Sequence, residues 1–370
     1  MTKVLSGGDG SERRALGRTV RANSLIAGAI LIVFLFTTGA ALAQTGKSDA
    51  TGPELKDITV YSELSFQSPV QLIIAEKKGF FKQFGLNVTP KYYQSGSEVP
   101  PGMIGGSIVL AHGGLVNPLV VADQGFPVTV ISQVADWGPS AQLVVQKELG
   151  NVSPKDLAGK TLVGPDIPVL RMFWINWTAR NKIDPKSIRW LNAAPSDALT
   201  AFLAKQADIL LMWGPQSTRA IAAGGVLWQD GRRSYRTGDT GPAAVYFNRG
   251  VVFVSTDWYR KYPRTVEAYL RGLYMANEYL KCHREEVTNL VGTAARIDPV
   301  MGSALMNLND YGVLMNTDFF QETQKTADFF QGAGILKRKH NVREIADSAI
   351  IDKVAKTTEI PASWASCVKK

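Results

Sequence analysis

Short apolar runs alternate with longer helical patterns over residues 55–255. Runs of about four to eight apolar residues, bounded by Gly, Pro or polar residues, are typical of strands. Their alternation with helices favours an α/β fold with a mostly parallel sheet. Residues 257–291 are predicted to be largely helical. We predict strands at residues 58–60, 86–88, 108–111, 128–133, 159–164, 188–191, 209–212 and 251–254, and helices at residues 69–78, 115–124, 169–181, 195–205 and 218–223.

The most informative unit is the turn from the first strand into the first helix, residues 62–69. It is polar and ends in Pro69, which suits the first turn of a helix because the missing N–H of proline is not needed there. Ser68 precedes it and is placed to cap the helix through its hydroxyl. Open α/β sheets bind ligands where a helix N-terminus meets the carboxyl end of a strand. The segment is therefore predicted to form half of a binding crevice.

The first 43 residues have the pattern of a secretory leader rather than of a folded domain. Five basic residues precede an apolar run at residues 25–36, and Ala41-Leu42-Ala43 matches a cleavage site before Gln44. The alternative is an uncleaved membrane anchor, because residues 25–43 are nearly uncharged and close to spanning length. Cleavage predicts a periplasmic protein, and the anchor predicts a membrane-attached one.

After the leader, the chain is longer than one hydrophobic core usually serves, which predicts two lobes. We assign residues 55–138 to lobe I and residues 139–244 to lobe II. Residues 245–370 are predicted to return to lobe I and to add the C-terminal helices. Residues 44–54 are small and polar, and are predicted to form a flexible lead-in.

Composition excludes several classes of function. The formal net charge is +9, but the basic residues are spread along the chain, and an exported protein is not expected to bind nucleic acid. A basic field can still attract an anionic solute. The two cysteines and three histidines lack ligand spacing, so the sequence predicts neither a metal site nor a cofactor. In an oxidising compartment Cys282 and Cys367 are predicted to form a disulfide, with two free thiols as the alternative.

Candidate binding residues lie in loops at strand ends. In the crevice of lobe I, Ser and Gln side chains supply neutral hydrogen bonds and Phe supplies an apolar face: Ser65, Phe66, Gln67 and Ser68. Helix capping is the alternative role of this loop. The second loop is His112-Gly113-Gly114, whose glycines permit close backbone approach and whose imidazole can donate to an anion. A plain turn that requires φ > 0 explains these glycines equally well.

Aromatic candidates lie at the lobe junction and in lobe II. Asp136 can pair with an amine, and Trp137 can stack on an organic solute. The alternative for Trp137 is packing in the interface between the lobes. Trp213 ends a predicted strand and can form one wall of a site. Other aromatic residues, such as Trp177 and Phe330, lie at helical spacing and are predicted to be core.

The long helix of lobe II offers a further set of candidates. Asp166 and Ile167 precede it, so they lie beside the positive end of its dipole. Asp166 as an ordinary N-cap is the alternative. Arg171 can bind a sulfonate or carboxylate through two hydrogen bonds, or can be a surface charge.

Four segments of the chain are informative when they are taken together: residues 69–88 (PVQLIIAEKKGFFKQFGLNV), 124–130 (QGFPVTV), 153–163 (SPKDLAGKTLV) and 198–215 (ALTAFLAKQADILLMWGP). In this order they resemble a known family, the periplasmic solute-binding proteins of nitrate/sulfonate/taurine-type ABC importers. That family shares its fold with pyrimidine-precursor binding proteins. Residues 104–108 depart from the family pattern, because family members commonly carry an acid there.

The resemblance implies a two-lobed α/β clamshell of the type II periplasmic-binding-protein kind. Its lobes would close over a solute and hand it to permease subunits in the membrane. It also implies a monomer without enzymatic activity. The candidate residues suit a small organic molecule, with sulfonates, taurine-like zwitterions and pyrimidine-like solutes all open. A same-fold receptor that feeds a sensor and a secreted enzyme are the alternatives.

Overall fold

The computed structural model describes residues 52–368. The predicted leader and most of the predicted lead-in lie outside the described residues. Among the residues that are described, no helix combines the length and the apolar character needed to cross a bilayer.

The strands of residues 52–368 form two separate sheets. The order in the first sheet is β13-β4-β12-β3-β1-β2, and the order in the second is β11-β10-β9-β5-β8-β6-β7. The strands are β1 Asp57–Glu63, β2 Asn87–Tyr93, β3 Leu110–Gly114, β4 Val128–Asp136, β5 Ala141–Val145, β6 Thr161–Gly164, β7 Arg189–Asn192, β8 Ile209–Trp213, β9 Val226–Asp230, β10 Arg233–Ser234, β11 Gly241–Pro242, β12 Arg249–Ser255 and β13 Asp310–Tyr311.

Helices cover both sheets. The sheet that starts with β1 and the helices packed on it form lobe I, and the sheet that starts with β5 forms lobe II. The helices are α1 Val70–Lys77, α2 Phe80–Gln83, α3 Val99–Ile104, α4 Val116–Asp123, α5 Pro168–Asn181, α6 Pro195–Leu203, α7 Gln216–Ala222, α8 Thr256–Lys261, α9 Pro263–Cys282, α10 Arg284–Ala295, α11 Pro299–Met306, α12 Thr317–Gly332, α13 Val342–Ile345, α14 Ala349–Thr357 and α15 Ala365–Val368.

Both sheets are mixed, so the prediction of a mostly parallel sheet is wrong. β1 runs parallel to β2 and β3, and β6 runs parallel to β7 and β8. In contrast, β12 runs antiparallel to β3 and β4, and β5 runs antiparallel to β8 and β9. β5 and β12 are the first strands after the chain passes from one lobe to the other. Hydrophobic alternation predicts that such a segment is a strand, but it does not predict the direction of the strand.

The His112-Gly113-Gly114 segment is part of β3, so the predicted turn is wrong. Neither glycine has a positive φ. A Cβ atom on Gly113 would lie 2.8 Å from the Asn117 amide nitrogen and 2.9 Å from the Tyr93 hydroxyl. The glycine is therefore required by close packing rather than by a turn.

Large aromatic side chains fill the two cores. In lobe I the rings of Phe81 and Tyr269 stack with centroids 5.2 Å apart. In lobe II the Trp177 ring lies 5.4 Å from that of Trp174 and 6.4 Å from that of Trp228. The prediction that helix-spaced aromatic residues belong to the core is confirmed for Phe173, Trp174, Trp177, Phe319 and Phe330.

The two cysteines lie beside each other at the end of α9 and in α15. Partial burial and the neighbouring Cys367 thiol raise the pKa of Cys282 to about 11. Both thiols are unbonded in this structure. Their pairing after export stays a prediction, which a count of reactive thiols on the folded protein would test.

A cluster of four charged side chains joins the lobes. Arg232, in the turn after β9 of lobe II, donates hydrogen bonds of 2.6 and 2.7 Å to Glu322 of lobe I and lies 2.6 Å from Asp136. Arg249 of β12 pairs with Glu322 and donates to Gln133 at 3.0 Å. None of the four charged side chains is more than 19% exposed. We call Asp136, Arg232, Arg249 and Glu322 the junction cluster.

Ion pairing with Arg232 and Arg249 has more effect on the pKa of Glu322 than burial has. Burial alone raises the pKa of its carboxyl, but the hydrogen bonds and charges of Arg232 and Arg249 outweigh burial and hold the pKa below its ordinary value of 4.5. An acid whose pKa is lowered by folding stabilises the protein above the unfolded-state pKa, and that contribution is lost as the pH falls through the folded-state pKa. The junction cluster is therefore expected to weaken in acid.

We expect Glu322→Gln to lower the free energy of unfolding at pH 7 by about 3 kcal/mol, because two buried guanidinium groups lose a charged partner. Urea denaturation measures the loss. The difference from the wild type should shrink as the pH falls through the lowered pKa of Glu322, where the wild-type carboxyl itself becomes protonated. Glu359→Gln, at an exposed acid, is the matched control and should change stability little. Equal stability of the Glu322 and Glu359 variants at pH 7 would contradict the role of the junction cluster.

Candidate functional site

A cavity of about 260 Å³ lies between the two lobes. Residues that follow β1 supply the lobe I side, and residues at the end of β8 supply the lobe II side. Ile297, Leu305 and Leu308 close it with apolar side chains from the region of α11. At about 30 Å³ per water molecule, the space equals that of roughly nine waters, which suits a compact solute.

The loop after β1 contributes polar groups to the cavity. The Ser65 hydroxyl accepts the Gln67 backbone N–H at 3.1 Å, and the Gln67 side-chain amide donates to the Ser140 hydroxyl at 3.2 Å. Ser68 does not cap α1, because Pro69 holds the N-cap position without a side-chain hydrogen bond. Instead the buried Ser68 hydroxyl donates to the Glu63 carboxylate at 2.9 Å. The capping role predicted for Ser68 is therefore wrong.

Phe66 belongs to this loop, but its ring packs in lobe I. The residue is only 2% exposed. A Cβ atom on Gly302 would lie 3.1 Å from the end of the Phe66 ring. The Phe66 carbonyl accepts hydrogen bonds from Tyr311 and Asn309, at 2.5 and 3.1 Å. These contacts fix the backbone of the loop that borders the cavity.

Trp213 forms the wall of the cavity on the lobe II side. It is half-buried at the end of β8 and lines the cavity, as Ser65, Phe66 and Gln67 do. At the next residue, a Cβ atom on Gly214 would lie 2.5 Å from Leu305 and 2.9 Å from Leu308. The glycine therefore permits lobe II to touch the region of α11 and close one side of the cavity.

His112 lies in the core of lobe I and does not reach the cavity. Its ring nitrogens contact the Ser68 carbonyl at 3.0 Å and the Tyr269 hydroxyl at 2.5 Å. Burial lowers the pKa of His112 to about 4, so the ring is neutral at physiological pH. Gly114, two residues further along β3, packs against the indole of Trp137.

Asp136 and Trp137 lie at the lobe junction, which is the alternative that the sequence left open for Trp137. Asp136 accepts the Gly138 backbone N–H at 2.7 Å and pairs with Arg232. Trp137 is 6% exposed, and a Cβ atom on Gly250 would lie 2.7 Å from its indole ring. Both side chains therefore have protein partners and do not line the cavity.

The candidates at the start of α5 form a separate group. The Arg171 guanidinium pairs with the Asp166 carboxylate at 2.5 Å and lies over the Trp190 ring at 5.9 Å. Ile167 holds the N-cap position of α5, so Asp166 is not the cap. None of the three residues lines the cavity between the lobes.

Glu63 is a cavity residue that the sequence analysis missed. It ends β1 and lines the cavity, where its Oε1 accepts hydrogen bonds from Ser68 and, at 3.4 Å, from Ser65. Burial raises the pKa of the Glu63 carboxyl, and the two serine hydroxyls offset only part of that rise. Its position in the sequence could have identified it, because Glu63 is the one acid in residues 62–68.

Other concave regions are less suited to a solute. A groove of about 670 Å³ is larger, but it lies between α10 and α11 of lobe I alone. Within residues 52–368, no group of His, Cys, Asp and Glu side chains is arranged to hold a metal ion. The cavity between the lobes is thus the site that both halves of the fold build.

Comparison with known proteins agrees with this arrangement. The sequence profile of the family described as "NMT1/THI5 like" matches residues 68–287. A protein of Bacillus subtilis (strain 168) named "Putative aliphatic sulfonates-binding protein" is 22% identical over 334 residues, which cover 88% of this chain and 95% of that one. These matches confirm the family resemblance seen in the sequence.

Solved structures confirm the two-lobed α/β fold. The periplasmic sulfonate-binding protein SsuA of a putative sulfonate ABC transporter from Methylobacillus flagellatus KT superimposes with a TM-score of 0.68 at 14% identity, over 84% of this chain and 97% of that one. A point mutant of DSZB in complex with biphenyl-2-sulfinic acid superimposes with a TM-score of 0.61 at 13% identity, over 82% and 99%. The fold is therefore shared by a transport protein and by a protein elsewhere described as a desulfurization enzyme.

We expect Trp213→Ala to weaken solute binding at least about tenfold, because an aromatic wall of the cavity is lost. The fold should persist, since Trp213 is half-buried. Isothermal titration with any solute that binds the wild type measures the change. Trp258→Ala, at a half-buried tryptophan of α8 outside the cavity, is the matched control.

Trp137→Ala should behave differently from Trp213→Ala. It is expected to lower the free energy of unfolding by about 3 to 5 kcal/mol, because it creates a cavity in the packed junction.

An affinity for the solute that is unchanged in Trp213→Ala would contradict the role of Trp213 as a wall of the binding site.

Proposed function

The chain belongs to the NMT1/THI5-like family, and on that premise we propose that it is an extracytoplasmic solute receptor for an ABC importer. It binds a small organic molecule between its lobes and delivers it to permease subunits in the membrane. The observation that carries the proposal is the cavity of about 260 Å³, because residues of both lobes line it. A solute there contacts both lobes only when they are together, so binding favours the closed form.

The proposed ligand is a sulfonate, a taurine-like zwitterion or a pyrimidine-like molecule. The names of the Bacillus and Methylobacillus proteins support sulfonates. Trp213 and the polar loop after β1 also suit a heteroaromatic ring, because binding sites usually combine apolar walls with a few placed polar groups. Residues 52–368 carry the binding function in this proposal.

The proposal places the protein in the periplasm as a monomer, exported by the predicted leader. A membrane-attached form with an uncleaved leader is the alternative. A receptor that feeds a sensor would use the same cavity, and a different partner would contact its outer surface. Genes for a permease and an ATPase beside this gene would support the importer.

An enzyme is the second candidate, because DSZB shares the fold. Against it, the described residues that line the cavity include no cysteine and no histidine. The Ser140 hydroxyl donates to the Trp137 carbonyl at 2.7 Å, so it has no general base as its acceptor. The lack of Cys and His in the described lining favours binding over turnover.

A thermal-shift screen with sulfonates, amino-sulfonates, carboxylates and pyrimidines tests the proposal. A ligand present at 100 times its Kd stabilises the folded protein by about 2.7 kcal/mol, which should raise the Tm by about 5 °C. NMR should then recover the ligand unchanged after long incubation. A Tm that no class moves would contradict the receptor, and conversion of the ligand would favour the enzyme.

A further inference from the structure

The geometry points to a ligand whose head carries N–H donors: we infer that a protonated amine or an amidine-like group of a compact solute binds Glu63, and that a free sulfonate is disfavoured there. The inference rests on the proposed function, since it names the ligand class for the same cavity. It follows from the charge of the cavity, from its unused hydrogen-bond acceptors and from the surroundings of Glu63.

The described lining of the cavity has one acidic side chain and no basic one. Among the described residues that line it, Glu63 is ionisable and none is Lys, Arg or His. The arginines nearest the lobe junction, Arg232 and Arg249, are already paired with acids. An anionic head would therefore enter a site with an acid and without a cation to offset its lost hydration. A cationic head would find its counter-charge in Glu63.

Two acceptors of the cavity residues have no donor. Ser65 and Ser68 both donate to Oε1 of Glu63, whereas Oε2 accepts no hydrogen bond from the described residues. Asn309 donates from Nδ2 to the carbonyls of Phe66 and Leu305, which fixes the orientation of its amide. Its Oδ1 is then left buried without a partner in the described part of the chain. An unpaired buried acceptor such as Asn309 Oδ1 destabilises a protein, so a ligand that supplies donors is favoured.

The titratable side chains that contact the loop after β1, or that interact with Glu63 itself, are uncharged. His112 lies behind the loop, and its lowered pKa of about 4 makes it neutral. Burial raises the pKa of the Tyr93 hydroxyl from β2 and of the Tyr311 hydroxyl from β13, so both phenols stay protonated. The pKa of Glu63 is raised by burial, and only Ser68 and Ser65 act against that rise. No cation of the described residues stabilises the ionised carboxylate.

Because the pKa of Glu63 is raised, the affinity for a charged ligand depends on pH. Below its raised pKa the empty site holds a protonated Glu63, and a cationic head favours the ionised form. Binding of such a head therefore releases a proton, and its affinity rises as the pH rises through the pKa of Glu63. An anionic head needs the protonated carboxyl, so its affinity would fall over the same range. The direction of the pH dependence thus distinguishes the two head groups.

Benzamidine and benzenesulfonate are matched probes, because both have a benzene ring of a size that fits the cavity and their heads have opposite charge. Both keep that charge at pH 6 and pH 8. NMR titration of the wild type should show benzamidine binding more tightly than benzenesulfonate. Benzamidine affinity should rise with pH through the raised pKa of Glu63 and then level off. The Trp213→Ala variant should lose this binding, which locates the probe in the cavity.

Glu63→Gln provides the second arm of the test. It keeps an acceptor for Ser68 but removes the charge, so benzamidine affinity at pH 8 should fall at least tenfold and lose its pH dependence. Glu359→Gln is the matched control with wild-type binding. Because an acid with a raised pKa destabilises the folded protein as it ionises, Glu63→Gln should melt higher than the wild type at alkaline pH. The difference in melting temperature should shrink as the pH falls and disappear below about 4.3, the ordinary pKa of a glutamate. This outcome also shows that the variant folds.

The results separate the inference from the proposed function. Tighter binding of benzenesulfonate than of benzamidine, in a Trp213-dependent manner, would overturn the inference and leave the solute receptor standing. Benzamidine affinity that is unchanged in Glu63→Gln would overturn it in the same way. If neither probe binds the cavity, the inference is overturned, and the wider thermal-shift screen decides whether the receptor proposal survives.

Discussion

Two arginines and two carboxylates buried between the lobes are the constraint on which the rest of the structure depends. Desolvated charges must keep their partners, and removal of one from a buried pair costs about 3 to 5 kcal/mol. Arg232 belongs to lobe II, whereas Asp136, Arg249 and Glu322 belong to lobe I. The junction cluster therefore holds the lobes together where the chain passes between them.

The contacts on the cavity side of the lobes are of a different kind. Gly214 meets the side chains of Leu305 and Leu308, and one amide of Gln67 bonds the Ser140 hydroxyl. A neutral hydrogen bond contributes about 1 kcal/mol, which is less than a buried ion pair loses when it is broken. A motion that separates the lobes at the cavity would thus break weaker contacts than those of the junction cluster.

Glu322 of the junction cluster and Glu63 of the cavity differ in the direction in which folding shifts their pKa. This difference supports the cavity as the functional site. Glu322 in the junction cluster is paired, its pKa is lowered, and it stabilises the fold. Glu63 in the cavity has no cationic partner, its pKa is raised, and its ionisation works against folding. A half-buried acid in a cleft without a cationic partner is typical of a functional position, because folding alone would not favour it. The shared fold of sulfonate-binding relatives therefore does not by itself decide which head group this cavity accepts.

Much of the architecture follows from local pattern. The apolar runs predict most strands, and the polar loop at residues 62–69 and Trp213 do border the cavity. The local sequence pattern does not predict a contact between residues that lie far apart in the chain. Asp136 meets Arg232, whose other partner is Glu322, and nothing near Asp136 in the chain reveals those partners. Glycine is ambiguous in the same way, because Gly113 serves close packing inside a strand although the local sequence also suits a turn.

A crystal structure of the protein with the solute that raises its Tm most is the most direct test of this account. The account predicts a solute enclosed between the lobes, with a nitrogen about 3 Å from the Glu63 carboxylate and its apolar body against Trp213. A solute that presents a sulfonate or carboxylate to Glu63, or that binds outside the cavity between the lobes, would contradict it.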